Sequence, residues 1–150
     1  MSTFEQEAKQ MLQKVKSAVA DAMNTTLLDG MHEAIKQSVQ TNVYGRYQPK
    51  AYVRRDEGGI MSEAYNELTK EAKANSLSIV ITNTAPGNSD FPPYDGAGAP
   101  ADAVEKGGPW HFPLDPNPGQ RPFLEPAKEM YVGSGQAEQH IANTVNILLK

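Results

Sequence analysis

Apolar residues recur every three or four positions over the first forty residues, as they do on one face of an α-helix. The first stripe runs through residues 4–23 and consists of Phe4, Ala8, Met11, Leu12, Val15, Val19 and Ala22. The second stripe, in residues 27–40, consists of Leu28, Met31, Ile35 and Val39. Thr26 is the predicted N-cap of this second helix, because a threonine hydroxyl accepts hydrogen bonds from the first free amides. The pattern predicts a helical N-terminal part over residues 1–42.

Residues 43–84 have the composition of extended chain. Residues 43–55 combine three Tyr and two Val with Pro49, which favours an edge strand or an extended arm. Residues 77–82 are β-branched and alternate, which predicts a strand that turns Leu77, Ile79 and Ile81 towards the core. A weak apolar stripe over residues 62–74 predicts a short helix.

The next segment, residues 85–125, is predicted to be a long loop. Ten of the eleven prolines and six of the twelve glycines lie between Ala85 and Pro126, so regular structure is largely excluded. Residues 103–105 and 110–112 could form only short extended pieces. The loop is either an arm that lies across a neighbouring subunit or a loop folded back on its own domain. Its aromatic residues need burial in both cases, and Trp110 is predicted to anchor the loop rather than to line a pocket.

Helical spacing returns over residues 126–150, with an interruption at residues 133–135. The predicted fold is therefore α+β: one domain over residues 1–150 with N-terminal helices, a small, mostly antiparallel sheet, a long Pro/Gly-rich loop and a C-terminal helix. The predicted core consists of Leu12, Val15, Val19, Leu28, Ile35, Ile79, Ile81, Ile141, Val145 and Leu148.

Composition narrows the classes of function. The chain has 150 residues, about one domain, and its 14 Lys and Arg against 18 Asp and Glu give a net charge of -4. An acidic chain is a poor candidate for a dedicated nucleic-acid-binding domain. The absence of Cys excludes disulfides, thiolate metal sites and cysteine nucleophiles. Without a signal peptide or an apolar run of 18 residues, a soluble, intracellular protein is expected.

Catalytic and cofactor motifs are missing from the sequence. His32, His111 and His140 are far apart, and none stands in a spacing that places two imidazoles on one helix face. The acidic residues of the loop lack the ligand order of a calcium-binding EF-hand. No serine lies in a nucleophile elbow, and no glycine-rich phosphate loop is present. We therefore predict no enzymatic activity, no metal and no cofactor.

A basic segment interleaved with tyrosines is the main candidate for a binding site. It contains Tyr44, Arg46, Tyr47, Lys50, Tyr52, Arg54 and Arg55, without an acidic residue. Arg and Tyr are enriched in protein interfaces, and the acidic net charge favours a protein partner over nucleic acid. A small nucleic-acid-binding protein that stacks bases on these tyrosines is the alternative function. A solvated edge strand is the third interpretation.

The same segment reads VYxxYxPxxYxRRxxGGI and resembles the signature of small neck proteins of long-tailed bacteriophages, the head–tail joining or tail-completion proteins. Residues 104–107, VEKG, resemble the strand-to-Gly step of that family, and residues 121–126, RPFLEP, resemble its entry to the last helix. The resemblance covers about residues 35–150. It implies a structural virion protein, made in the bacterial host cytoplasm, whose copies form a ring in the neck and contact other neck, head-completion and tail proteins. It implies no membrane and no sequence-specific nucleic acid as partner.

The predicted protein-interface residues are drawn from the basic segment, the loop and the RPFLEP motif. They are Tyr44, Arg46, Tyr47, Tyr52, Arg54, Arg55, Trp110, Arg121 and Phe123.

Overall fold

The computed structural model describes residues 3–46, 48, 59–73, 76–86, 100–107, 119–148 and 150. The elements are, in chain order, α1 (Thr3–Asn24), α2 (Thr26–Ser38), a first π-helical segment (Val39–Tyr44), a 3₁₀ turn (Glu63–Tyr65), β1 (Asn66–Lys73), β2 (Ser76–Asn83), α3 (Pro100–Lys106), α4 (Leu124–Lys128), a second π-helical segment (Glu129–Gly133) and α5 (Gln136–Leu148). The part of the chain that the structure describes is mostly helical and contains a two-stranded antiparallel sheet, which confirms the predicted α+β class.

The chain divides into two compact units. Unit 1 consists of Met1–Glu33 and Lys128–Lys150, and in it α1 packs against α5. Unit 2 consists of Ala34–Ala127 and contains the sheet, α3 and most of α4. The boundary at residue 33 falls within α2, so this helix contributes to both units.

The two N-terminal helices are confirmed, but the N-cap position of α2 lies one residue earlier than predicted. The Asp29 amide donates to the carbonyl oxygen of Thr25 at 3.0 Å, so Thr25 and not Thr26 occupies the N-cap position. The Thr26 hydroxyl instead lies 3.3 Å from the Thr144 hydroxyl of α5. A long-range contact therefore takes the side chain that the local pattern assigned to the cap.

The predicted core is largely wrong in detail. Of its ten residues only Ile35 is fully buried, whereas Leu12 and Leu148 are exposed. The other seven are half-buried: Val15, Val19, Leu28, Ile79, Ile81, Ile141 and Val145. In α1 the buried residues are Ala18, Ala22 and Met23, so only the C-terminal end of this helix is covered. Periodicity identified the apolar face but not the part of it that is buried.

Residues 43 and 44 are helical rather than extended, which corrects the prediction for the start of the basic segment. α2 continues into the first π-helical segment, where the Gly45 amide donates to the Gln40 carbonyl oxygen at 2.8 Å. Ile35, Val39 and Val43 follow one another at intervals of four and are all buried. Burial along this stripe outweighs the strand preference of β-branched Val43.

Residues 66–73 form a strand and not the predicted helix. β1 pairs with β2 in an antiparallel register that sets Asn66 opposite Asn83. The Asn83 side-chain amide donates to Asn66 Oδ1 at 2.8 Å and to the carbonyl oxygen of Ile60 at 2.9 Å, and both asparagines are buried. Pairing with a partner strand and a buried amide contact override the helix-forming Glu, Lys and Ala of β1.

The strand predicted at residues 77–82 is confirmed as β2, with Ile79 and Ile81 half-buried and Val80 between them exposed. The side chain of Leu77 lies outside the described part of the chain.

The Pro/Gly-rich segment contains a helix, α3, at the place where residues 103–105 were predicted to be extended. Pro100 opens this helix, since its fixed φ suits the first helical position, and Ala and Glu continue it. Residues 110–112, the other predicted extended piece, lie outside the described residues.

Candidate assembly surface

Four of the nine predicted interface residues are described. Tyr44 ends the first π-helical segment and is half-buried, and Arg46 is exposed in the turn that follows. Arg121 and Phe123 are buried within the chain itself. Tyr47, Tyr52, Arg54, Arg55 and Trp110 lie outside the described residues. The role of all nine in an interface stays a prediction.

The structure joins the two downstream stretches, residues 104–107 and 121–126, into one capping module. The Glu105 carboxylate accepts hydrogen bonds from the amides of Phe123 at 2.8 Å and Leu124 at 2.5 Å, where α4 begins. The Arg121 amide donates to the Val104 carbonyl oxygen at 2.9 Å. A carboxylate at a helix start satisfies amides that the helix leaves free and matches its partial positive charge. Glu105 thereby fixes the start of α4 from a distant point in the sequence.

Gly107 gives the capping module its turn. Residues 104–107 were predicted as a strand-to-Gly step. Instead, residues 104–106 are the end of α3, and Gly107 follows the helix with a positive φ of 69°. A Cβ at this position would lie 2.9 Å from the Gln120 amide nitrogen. The Gln120 side chain donates to the Lys106 carbonyl oxygen at 3.2 Å and so closes the C-terminus of α3. Glycine is therefore required both by the backbone angle and by the close approach of residue 120.

Among the described residues, large apolar side chains are exposed mainly in unit 1. Phe4 is 77% exposed and Ile147 is 71% exposed. We call the exposed large apolar residues of this unit the apolar surface; they are Phe4, Met11, Leu12, Met130, Val132, Ile147 and Leu148. In the described part of unit 2, Val80 is the one comparable residue. Large apolar side chains that a chain leaves exposed are candidates for burial in a protein–protein contact.

A buried polar cluster holds the elements of unit 1 together. The Tyr131 hydroxyl lies 2.7 Å from His140 Nδ1 and 3.4 Å from the carbonyl oxygen of Thr26, to which it donates. The Tyr131 ring also lies against Gly30, where a Cβ would overlap it. One side chain thus contacts α2 and α5 from the second π-helical segment. Sequence spacing could not find this cluster, because Thr26 and Gly30 lie more than a hundred residues before Tyr131.

Burial, followed by the charge of Asp29, raises the pKa of Tyr131. The phenol therefore stays protonated and acts as a hydrogen-bond donor and acceptor. The Tyr131 side chain is buried, and its hydroxyl contacts both α2 and α5, so the Tyr131–His140 pair contributes to the packing of unit 1.

The described ranges contain neither a cluster of metal ligands nor a membrane-spanning helix. These ranges contain no group of three or more His, Asp or Glu residues that could hold a metal ion. Of the helices described, none combines the length and the apolar content that a membrane crossing requires.

Comparison with known protein families matches residues 7–146 to the family model named YomN. The chain belongs to the YomN family. This family is of phage origin, so the protein is a phage protein. The YomN match extends from α1 to α5 and includes elements of both units. No curated protein and no solved structure matches the chain significantly.

Proposed function

We propose that this YomN-family chain is a structural protein of the virion of a long-tailed phage, and that its copies form a ring in the neck that joins head and tail. The apolar surface of unit 1 carries the proposal. A phage protein that exposes several large apolar side chains on α1 and α5 is suited to bury them in an assembly. The phage origin of the family supports the same class of protein.

The neck is proposed on the resemblance of residues 43–60 to phage neck proteins. Arg46 belongs to this segment and is exposed, so it is available to a partner. Most of the segment after Arg46 lies outside the described residues. In the proposed ring, the apolar surface and the basic segment contact neighbouring copies and other neck, head-completion and tail proteins. The protein is made in the bacterial cytoplasm and ends in the virion.

The test is a phage that lacks this gene, complemented from a plasmid. Without complementation we expect filled heads and free tails that do not join, as seen by negative-stain electron microscopy. Complementation with the wild-type gene should restore joined particles. Joined, infectious particles from the deletion phage would contradict a neck function.

A charge reversal tests the basic segment in the same assay. Arg54→Glu should give folded protein that fails to join heads to tails, because an interface arginine loses its directional hydrogen bonds and meets the wrong charge. Lys16→Glu is the matched control, since Lys16 is exposed on α1 and does not belong to the basic segment. Steeply salt-dependent DNA binding that Arg54→Glu abolishes would instead favour the nucleic-acid alternative.

A further inference from the structure

α1 carries a heptad seam of which only one half is covered. Residues at alternating intervals of four and three form the seam: Phe4, Ala8, Met11, Val15, Ala18 and Ala22. Ala18 and Ala22 are buried, Val15 is half-buried, and Phe4, Ala8 and Met11 are exposed. A repeat of this kind is the pattern by which two helices pack side by side in a coiled coil. The open N-terminal half therefore has the surface of a helix that lacks its partner helix.

We propose that the N-terminal half of α1 pairs in antiparallel orientation with α1 of a second copy of this chain. The proposal rests on the proposed function only in taking the apolar surface as a contact site. It concerns the free protein, because a two-fold contact cannot join neighbouring copies of a ring in which all copies face the same way. Two observations on α1 specify the occupant and the orientation: the sizes of the seam residues and the charges beside them.

The seam residues are complementary in size when two helices run antiparallel. Phe4 then lies opposite the partner's Val15, and Ala8 lies opposite the partner's Met11. The small Ala8 leaves the space that the long, flexible methionine fills, and the two-fold axis repeats both layers. A parallel pair would instead set two phenylalanines and two alanines against each other, which alternates a crowded layer with an empty one.

The charges beside the seam are complementary in the same orientation. Glu7 and Lys14 both precede a seam residue by one position, and both are exposed. In the antiparallel pair Glu7 lies beside the partner's Lys14, and the symmetry makes this ion pair twice. In a parallel pair the same residues lie beside Leu12 and Val19 and find no charge partner. Flanking charges of this kind select orientation and partner in coiled coils.

Four layers make a small contact, so we expect a reversible dimer whose population depends on concentration. Analytical ultracentrifugation of the purified chain measures it. Lys14→Glu places two pairs of like charges across the interface and should weaken dimerisation about tenfold or more. The double variant Glu7→Lys with Lys14→Glu restores opposite charges and should return the dissociation constant to near the wild-type value.

Lys16→Glu is the matched control, because it makes the same change of charge at an exposed α1 position away from the seam. It should leave dimerisation unchanged, and circular dichroism should show all these variants folded. A wild-type chain that stays monomeric at high concentration would overturn the proposal. So would a Lys14→Glu defect that the double variant does not repair.

Disulfide trapping tests the orientation, since the natural chain has no Cys. A mixture of tagged Phe4→Cys chains and untagged Val15→Cys chains should form mixed disulfides on oxidation. Phe4→Cys chains alone should not, because antiparallel pairing separates the two copies of residue 4 by roughly 16 Å along the helix axes. Efficient trapping of Phe4→Cys with itself would show parallel pairing and overturn the proposal. These experiments use the isolated protein, so their failure is distinct from a failure of the neck assignment, which is measured on phage particles.

Discussion

The two units differ in where they keep their large apolar side chains. The largest fully buried side chains, Phe123, Ile35 and Val39, all belong to unit 2. Unit 1 buries Met23, Leu27 and Tyr131 but leaves Phe4 and Ile147 exposed. Burial of a large apolar side chain stabilises a fold by about 1.5–3 kcal/mol. In the described part of the chain, unit 2 gains this stabilisation from its largest side chains, whereas several large side chains of unit 1 do not contribute it.

The sharpest test of this difference makes the same substitution in each unit. Phe123→Ala should lower the free energy of unfolding by about 3–5 kcal/mol, because it empties a fully buried site. Phe4→Ala should change it by less than about 0.5 kcal/mol at concentrations where the chain is monomeric, since surface substitutions have small effects. Urea unfolding followed by circular dichroism measures both. Equal losses for the two variants would break the comparison between the units.

Local sequence signals predicted the kinds of elements better than their environment. The apolar stripes located α1, α2 and α5, and alternation located β2, because these patterns depend only on local geometry. They could not show that Leu12 and Leu148 are exposed, since exposure depends on what packs against each helix. The interval of four between Ile35, Val39 and Val43 was a usable signal for the longer helix, but the strand preference of the tyrosines obscured it.

The polar contacts of Glu105 and Tyr131 could not be predicted from the sequence for a different reason. Glu105 and Phe123 are eighteen residues apart, and the intervening segment is rich in Pro and Gly. Tyr131 meets Thr26 across more than a hundred residues. No local periodicity reports such pairs. The resemblance to phage neck proteins did point to residues 104–107 and 121–126, and the structure shows that these two stretches bind each other.

The capping module supplies the next largest effect and tests how unit 2 fixes its helices. Glu105→Ala should lower the free energy of unfolding by about 2–3 kcal/mol, because two amides at the start of α4 lose a charged acceptor. Glu105→Gln keeps an oxygen acceptor and should lose less. Glu33→Ala, at an exposed position of α2, is the control and should be nearly neutral. A neutral Glu105→Ala would show that water replaces the carboxylate at this helix start.

Gly30 tests whether unit 1, despite its exposed apolar surface, has a specific interior. Gly30→Ala should lower the free energy of unfolding by about 1–2 kcal/mol, because overlap with the Tyr131 ring outweighs the better helix propensity of alanine. Gly133→Ala is the matched control, since the three atoms nearest to its Cβ all belong to the movable carboxylate of Glu129. Thermal unfolding compares the two. A stabilised Gly30→Ala variant would mean that Tyr131 moves freely and that unit 1 is loosely packed.

The smallest effect is a pH dependence that originates in unit 1. Because burial and Asp29 raise the pKa of Tyr131, the unfolded chain loses this proton first as the pH rises. The protonated phenol contributes fully to the free energy of unfolding below the ordinary tyrosine pKa of about 10. This contribution is lost as the pH rises towards the pKa of the folded state. Tyr131→Phe cannot ionise, and between pH 7 and 9 it should be less stable than wild type by about 0.5–1.5 kcal/mol because it lacks the hydroxyl's hydrogen bonds.

Above pH 10 ionisation of Tyr131 in the unfolded chain lowers the free energy of unfolding of the wild-type protein but not that of Tyr131→Phe. The gap in free energy of unfolding between the two proteins should therefore narrow. Urea unfolding at half-unit steps from pH 7 to 11 measures the gap, and its constancy from pH 7 to 9 is the internal control. A gap that stays constant or widens up to pH 11 would mean that Tyr131 ionises as readily in the folded chain as in the unfolded one. Unit 1 would then admit water to the contact of Tyr131 with α2 and α5, and the two units would differ in interior packing as well as in their surfaces.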